Sequence, residues 1–285
     1  MKLENANETV ITPYRSGFPI DSIHPVTYSQ AEQESITTTY RSFVGKLHWL
    51  AQSTRPDIAT AVSFLSSYQS KPTKAHIESA RHVGRYLKST FTKALNFLHK
   101  NAYKPLEACT HIPHEDFEQP VCYADANWGP QDASIPTATN RRLVSLTETK
   151  SVCGFIIFFH GAPIMWKAFK EARASRSSCE AEIKATDECT KATQFFRHVL
   201  EDLNLALKDP VKIYNDNRGC IDWSHSMSTK RLRHYNIREN CVREAILEKE
   251  ILVIHIPGPR NPGDIMTKEH KCDKVYCELR DIVVY

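Results

Sequence analysis

A chain of 285 residues, 41% hydrophobic and 25% charged, has the composition of an ordinary globular protein and the length for one large or two modest domains. It carries no run of about 18 apolar residues, and the start MKLENANETV lacks the apolar centre of a signal peptide, so an intracellular, non-membrane protein is expected. The net charge of +4 leaves a nucleic-acid partner open, and nine cysteines without CxxC pairing read as reduced core thiols rather than as zinc or disulfide sites.

Residues 1–37 are polar and interrupted by Pro13, Pro19 and Pro25, which predicts an extended lead-in. From residue 38 the spacing turns helical. Phe43, Val44, Leu47, Leu50 and Ala51 share one face, and Pro56 restarts the pattern with Ile58, Ala61, Val62, Leu65 and Tyr68. Thr73 is placed to cap a third helix that reaches about residue 90. Along it Ile77, Ala80, Val83 and Leu87 gather on one side, while Lys74, Arg81, Arg85 and Lys88 gather on the other. The basic side has two readings, a solvated surface or a face that tracks phosphates.

Residues 91–118 read as a hairpin or connection, and after them the grammar changes. Strands are predicted at 119–125, 151–160 and 163–169, with a hairpin turn near Gly161. A long helix follows at about 176–206, then the buried strand VKIYNDN, helices at 217–226 and 230–248, and a last strand in ILVIHIPG. The order predicts an α/β fold, a mixed sheet with flanking helices.

Three of these strands deliver an acid at the same kind of place. Asp125 ends the first, Asp216 ends VKIYND, and Asp264 follows the last through IPGPRNPGD. The crevice outside strand carboxyl ends is where open α/β sheets bind ligands. In the long helix Glu182 leads a face of Ala185, Thr186, Cys189 and Thr193, small enough to lie on a sheet, while Glu180, Asp187 and Glu188 are expected in solvent. Four converging carboxylates need a counter-charge, and an all-oxygen donor set favours Mg2+ or Mn2+, two ions at a phosphodiester. The competing reading is that strand-end aspartates are turn formers.

Ordered motifs sharpen this. The stretch from YRSFVGKLHWLAQSTRPDIATAV to RHVGRYLKST resembles the closing portion of copia-type retrotransposon reverse transcriptases. YADANW, KSVCGFIIFF, APIMWKAFKEARASRSSCEAEIKA, VKIYNDN, STKRLRHYNIRENCVRE and NPGDIMTK resemble, in order, the ribonuclease H domain that ends the same Pol polyprotein. The resemblance implies a helical thumb/connection fragment at 38–118, a ribonuclease H-like domain at 119–270 whose five-stranded sheet has its first three strands antiparallel, and a C-terminal tail at 271–285. It implies that Asp125, Glu182, Asp216 and Asp264 bind two Mg2+ or Mn2+ ions and hydrolyse the RNA strand of an RNA–DNA hybrid. Lys170, Arg173 and Arg176, and Lys230, Arg231, Arg233 and Arg238, become candidate phosphate contacts beside Lys74, Arg81, Arg85 and Lys88, and Asn217 a candidate contact to the sugar 2′-hydroxyl.

Trp128 either stacks on nucleic acid or packs the strand end. No Tyr-x-Asp-Asp motif is present, so DNA synthesis is not expected. The implied partners are the hybrid, the polymerase portion and other retrotransposon proteins, with no membrane, in cytoplasm or nucleus. Asn127 and Asn236 stand where relatives commonly show Asp, and Cys179 where Thr is usual, so an inactive nucleic-acid-binding remnant or domesticated fragment is the alternative.

Overall fold

Helix-start chemistry places the first element earlier than hydrophobic spacing does. The hydroxyl of Ser29 accepts from the backbone N–H of Glu32, and the Glu32 carboxylate accepts from the Ser29 N–H, a reciprocal capping box. Helix α1 (Gln30–Ser53) therefore begins inside the segment expected to be extended, and its buried stripe is Ile36, Tyr40, Val44, Leu47 and Ala51. The computed structural model describes residues 9–14, 27–97, 118–128, 150–226, 240–269 and 273–284. They fall into two units, one of residues 1–96 with 268–285, the other of 97–267.

In the first unit α1 is followed by a 3-10 turn (Pro56–Ile58), α2 (Ala59–Ser66) and α3 (Lys74–Ser89). Thr73 caps α3 as the sequence suggests, with His76 closing the box. The buried face of α3 is His76, Ser79, Ala80, Val83, Gly84 and Tyr86, while Ile77 and Leu87 are only half-buried. The face is rotated because the Tyr86 hydroxyl finds a partner inside and His76, whose Nδ1 closes the cap with Thr73, stacks its ring on Tyr68.

The Tyr86 hydroxyl donates to Asp57 Oδ2 at 2.5 Å, and Arg55 forks onto the same carboxylate at 2.9 and 2.7 Å. Arg55 also donates to the carbonyl and hydroxyl of Thr90. Residues 271–285, expected as a tail, instead contain a helix, labelled α7 after those below (Asp273–Val283), whose Tyr276 hydroxyl donates to the Asp57 carbonyl at 2.9 Å. Two charges held at 8% and 0% side-chain exposure are tolerable because every partner is a hydrogen-bonding group.

The second unit is a five-stranded sheet of order β3-β2-β1-β4-β5. Strands β1 (Val121–Asn127), β2 (Val152–Phe159) and β3 (Ala162–Lys170) run antiparallel, and β4 (Val211–Asn215) and β5 (Ile251–His255) pair parallel to β1 and to each other. This is the α/β, ribonuclease H-like arrangement that the motifs imply. His160 and Gly161, at φ 50° and 75°, close the β2–β3 hairpin in left-handed backbone. Helix α4 (Ser178–Asp202) lies on β1 and β2. Helices α5 (Arg218–His225) and α6 (Asn240–Leu247) complete the cover, α6 being the described part of the helix predicted at 230–248.

The core thiols Cys122, Cys153, Cys189 and Cys220 are buried and free. Among the described residues no helix is long and apolar enough to cross a membrane.

Candidate active site

The site forms where β1 and β4 run side by side, because parallel strands end together. Asp125 lies near the end of β1 at 1% exposure, and Asp216 follows directly on β4. Ser177 caps α4, its hydroxyl accepting from the Glu180 N–H, and Glu182 sits on the face that meets the sheet, at 5% exposure. Ligand oxygens of Asp125, Glu182 and Asp216 lie within 4.8 Å of one another.

Asp264 is not among those three. It is half-buried in the 3-10 turn Pro262–Met266, whose Gly263 lies directly on Asp125: a methyl group built there would come 3.1 Å from Asp125 Cβ. The turn also sits on β2, where a methyl at Gly154, the residue paired with Asp125, would meet Met266 Cβ and the Met266 carbonyl at 3.0 Å.

The electrostatics follow from burial. Desolvation pushes the Glu182 carboxyl well above the usual carboxylate range, and the neighbouring Asp125 and Asp216 add to the rise; hydrogen bonds from the Asn215 amide and the Ala126 N–H pull against it. Asp125 accepts from the Thr267 hydroxyl. The cluster is all oxygen, crowded and buried, so a hard divalent cation fits its donor chemistry better than zinc does.

Four side chains missed by sequence reading support it. Asn215, fully buried, donates to Glu182 Oε2 at 2.9 Å, and Asn261, 1% exposed, donates to the Ala124 carbonyl at 3.0 Å. Beside them Glu171 accepts from the Ser175 N–H and hydroxyl, and Lys184 pairs with Glu171 at 3.4 Å and Glu180 at 3.0 Å, holding the segment that precedes α4. An asparagine immediately before a strand-end acid, and another opening NPGD, are the visible signals.

No family model matches the chain. It is 29% identical over 233 residues to the retrovirus-related Pol polyprotein from transposon RE1 of Arabidopsis thaliana, covering 81% of this chain and 14% of that protein. It is 28% identical over 231 residues to the one from transposon TNT 1-94 of Nicotiana tabacum, covering 80% and 15%. This chain is similar in sequence to the retrovirus-related Pol polyproteins of copia-type transposons.

It spans about one-seventh of the length of these curated relatives. The secreted RxLR effector protein 161 of Plasmopara viticola is also 30% identical over 152 residues, 53% of this chain and 87% of that protein. Among solved structures, LC11-RNase H1 in complex with an RNA/DNA hybrid aligns over 52% of this chain and 94% of its own, at 13% identity and TM-score 0.36. The fold assignment for this chain rests on its strand order and directions rather than on that likeness.

The remaining expected contacts of the chain are scattered. In the first unit Arg81 pairs with Glu78, Lys74 lies 5.5 Å from the Tyr28 ring centre, Arg85 is half-buried and Lys88 exposed. In the second, Lys170 ends β3 half-buried, while Arg173 and Arg176 are exposed. Asn217 caps α5, its side-chain oxygen accepting from the Cys220 N–H at 3.0 Å. Lys230, Arg231, Arg233 and Arg238 lie outside the described residues. Trp128 is 51% exposed, with its indole N–H donating to the Ser175 carbonyl at 3.1 Å, so it does not pack the strand end. Asp187, expected in solvent, is 7% exposed and held by Lys191.

Proposed function

We propose that this chain is a metal-dependent nuclease that hydrolyses the RNA strand of RNA–DNA hybrids. The observation that carries the reading is the convergence of Asp125, Glu182 and Asp216 in a chain similar to these Pol polyproteins. Asp264 is the fourth acid, brought to the same region by a turn that lies on Asp125. These residues would hold Mg2+ or Mn2+, two ions. When bound, such ions lower the pKa of a water and neutralise charge on the leaving oxygen of a phosphodiester.

The chain's own residues prepare that chemistry. Burial of Asp125 and Glu182 makes the cluster a strong, water-poor attractor for cations, and Thr267 and Asn215 orient one oxygen of each. Burial and the neighbouring acids favour the protonated form of Glu182 in the metal-free site, and a bound cation would compete with that proton. The Asn217 amide nitrogen, not needed for its capping bond, would donate to a sugar hydroxyl, and Lys170 and Arg173 would hold phosphates. Lys74, Arg85 and Lys88 on the thumb-like unit are further candidates to hold phosphates.

The test is cleavage of a labelled hybrid with Mg2+ or Mn2+ by the purified chain and by Asp125→Asn. Cutting of the RNA strand alone, absent without metal and in the variant, supports the reading. Hybrid binding without cutting by a folded chain overturns it in favour of an inactive binding remnant.

A further inference from the structure

Two buried asparagines stand in nearly matching roles around one carbonyl. Asn215 directly precedes Asp216, and its Oδ1 accepts from the Asn217 N–H at 2.8 Å, which folds the backbone around that acid. Asn261 precedes Asp264 by three residues, and its Oδ1 accepts from the Gly263 N–H at 3.0 Å, which opens the turn bearing that acid. Each thus spends its oxygen on a local turn of the kind asparagine side chains favour.

Their amide nitrogens point the same way. Asn261 Nδ2 donates to the Ala124 carbonyl at 3.0 Å, and Asn215 Nδ2 lies 3.5 Å from that oxygen, 3.4 Å from Thr186 Oγ1 and 2.9 Å from Glu182 Oε2. Ala124 is the residue before Asp125. One backbone carbonyl in β1 therefore takes donors from the segments that carry Asp216 and Asp264, and Asn215 in addition holds Glu182 on α4. Neither amide is accessible to water, at 0% and 1% exposure, so the bonds are fixed rather than exchanged with solvent.

We propose that Asn215 and Asn261 are positioning residues that set the spacing of the four carboxylates before any cation arrives. The proposal rests on the nuclease reading for its consequence in catalysis, but not for its consequence in cation binding. A methyl side chain at 215 leaves the Asn217 N–H without its acceptor and Glu182 with the Ala126 N–H but no side-chain amide donor, so the carboxylate is held less firmly in the cluster. Partners that orient ligands from behind alter metal affinity or activity by about 10–100-fold when removed.

The experiment compares the full chain with Asn215→Ala and Asn261→Ala by three readouts: Mn2+ affinity from the electron paramagnetic resonance signal of free Mn2+, hybrid affinity in EDTA, and single-turnover cleavage. The expected result is Mn2+ binding weakened by about tenfold or more with cleavage lowered in step, and hybrid affinity in EDTA unchanged. Should Asn215→Ala lack a cooperative melt, Asn215→Thr, which keeps a hydroxyl to donate and accept, replaces it.

Variants that melt lower but bind Mn2+ and cut as the parent does overturn the proposal, since that is what a purely structural role predicts. A parent that binds Mn2+ but cuts no hybrid overturns the nuclease reading alone, and the Mn2+ comparison still decides the positioning role. A parent that binds no Mn2+ overturns both.

Discussion

Replacing Gly154 by alanine tests the closest approach in the second unit. The added methyl would overlap Met266 Cβ and sit 3.0 Å from the Met266 carbonyl and 3.1 Å from the Lys167 carbonyl. Two of these neighbours are backbone and the third is the root of a side chain, so none can swing aside as the end of a flexible chain does. Ordinary carbon contacts of about 3.5–4.0 Å would be recovered only if the Pro262–Met266 turn rose from the sheet by roughly 1 Å or more.

Overpacking of this kind costs about 1–3 kcal/mol. With a slope of about 2 kcal/mol per molar urea, the unfolding midpoint should fall by about 0.5–1.5 M. The same displacement carries Asp264 away from Asp125, and misplacement of about 1 Å lowers rates by about a hundredfold. Urea melts and single-turnover hybrid cleavage read the two effects separately. A variant with a midpoint within about 0.1 M of the parent and an unchanged rate would refute the claim that this turn rests on β2 and sets Asp264.

The complementary glycine is Gly45, inside α1, where an added methyl meets nothing within 4 Å; Gly45→Ala should stabilise the first unit by about 0.5–1 kcal/mol, seen as a higher urea midpoint. Asp57→Ala strands the buried Arg55 charge and removes the Tyr86 acceptor, and a loss of about 3–5 kcal/mol is expected in the melt of that unit. The raised Glu182 pKa gives a pH signature. Its contribution to stability is fully present below the ordinary glutamate range and is lost as pH rises through the folded-state value, so melts in EDTA should show that contribution falling with pH. Mg2+ should abolish the fall and, at about a hundred times its dissociation constant, add about 2.7 kcal/mol; melts with equal pH dependence in EDTA and Mg2+ would contradict a cation at Glu182.

Much of this architecture is local and therefore legible. The apolar strand runs VCYADAN and VCGFIIFF, the Gly161 hairpin and the small-residue face behind Glu182 each encode their element within a few residues. The acids at strand ends could be read for the same reason. What escaped reading is polar and long-range. Tyr86 and His76 turn inward only because Asp57 and Thr73 meet them, and Asp187 is buried only because Lys191 reaches over it. The partnership of Asn215 and Asn261 joins the end of β4 to the turn that carries Asp264 through a carbonyl that has no signature of its own in the sequence. The start of helix α1 is hidden from hydrophobic spacing because its buried stripe begins only at Ile36, while its capping box is entirely polar.

The bond from Tyr276 to Asp57 joins residues 219 positions apart, and the whole sheet is encoded between them. During synthesis the helices of the first unit leave the ribosome first, yet the helix that completes them is translated only after every strand has been made. Until then Asp57 and Tyr86 lack their last partner. A chain terminated between Thr267 and Asp273 would keep its carboxylates and lose the closure of its first helices, so nonsense changes there should be felt as proteolytic sensitivity around α1 to α3 rather than around the acids.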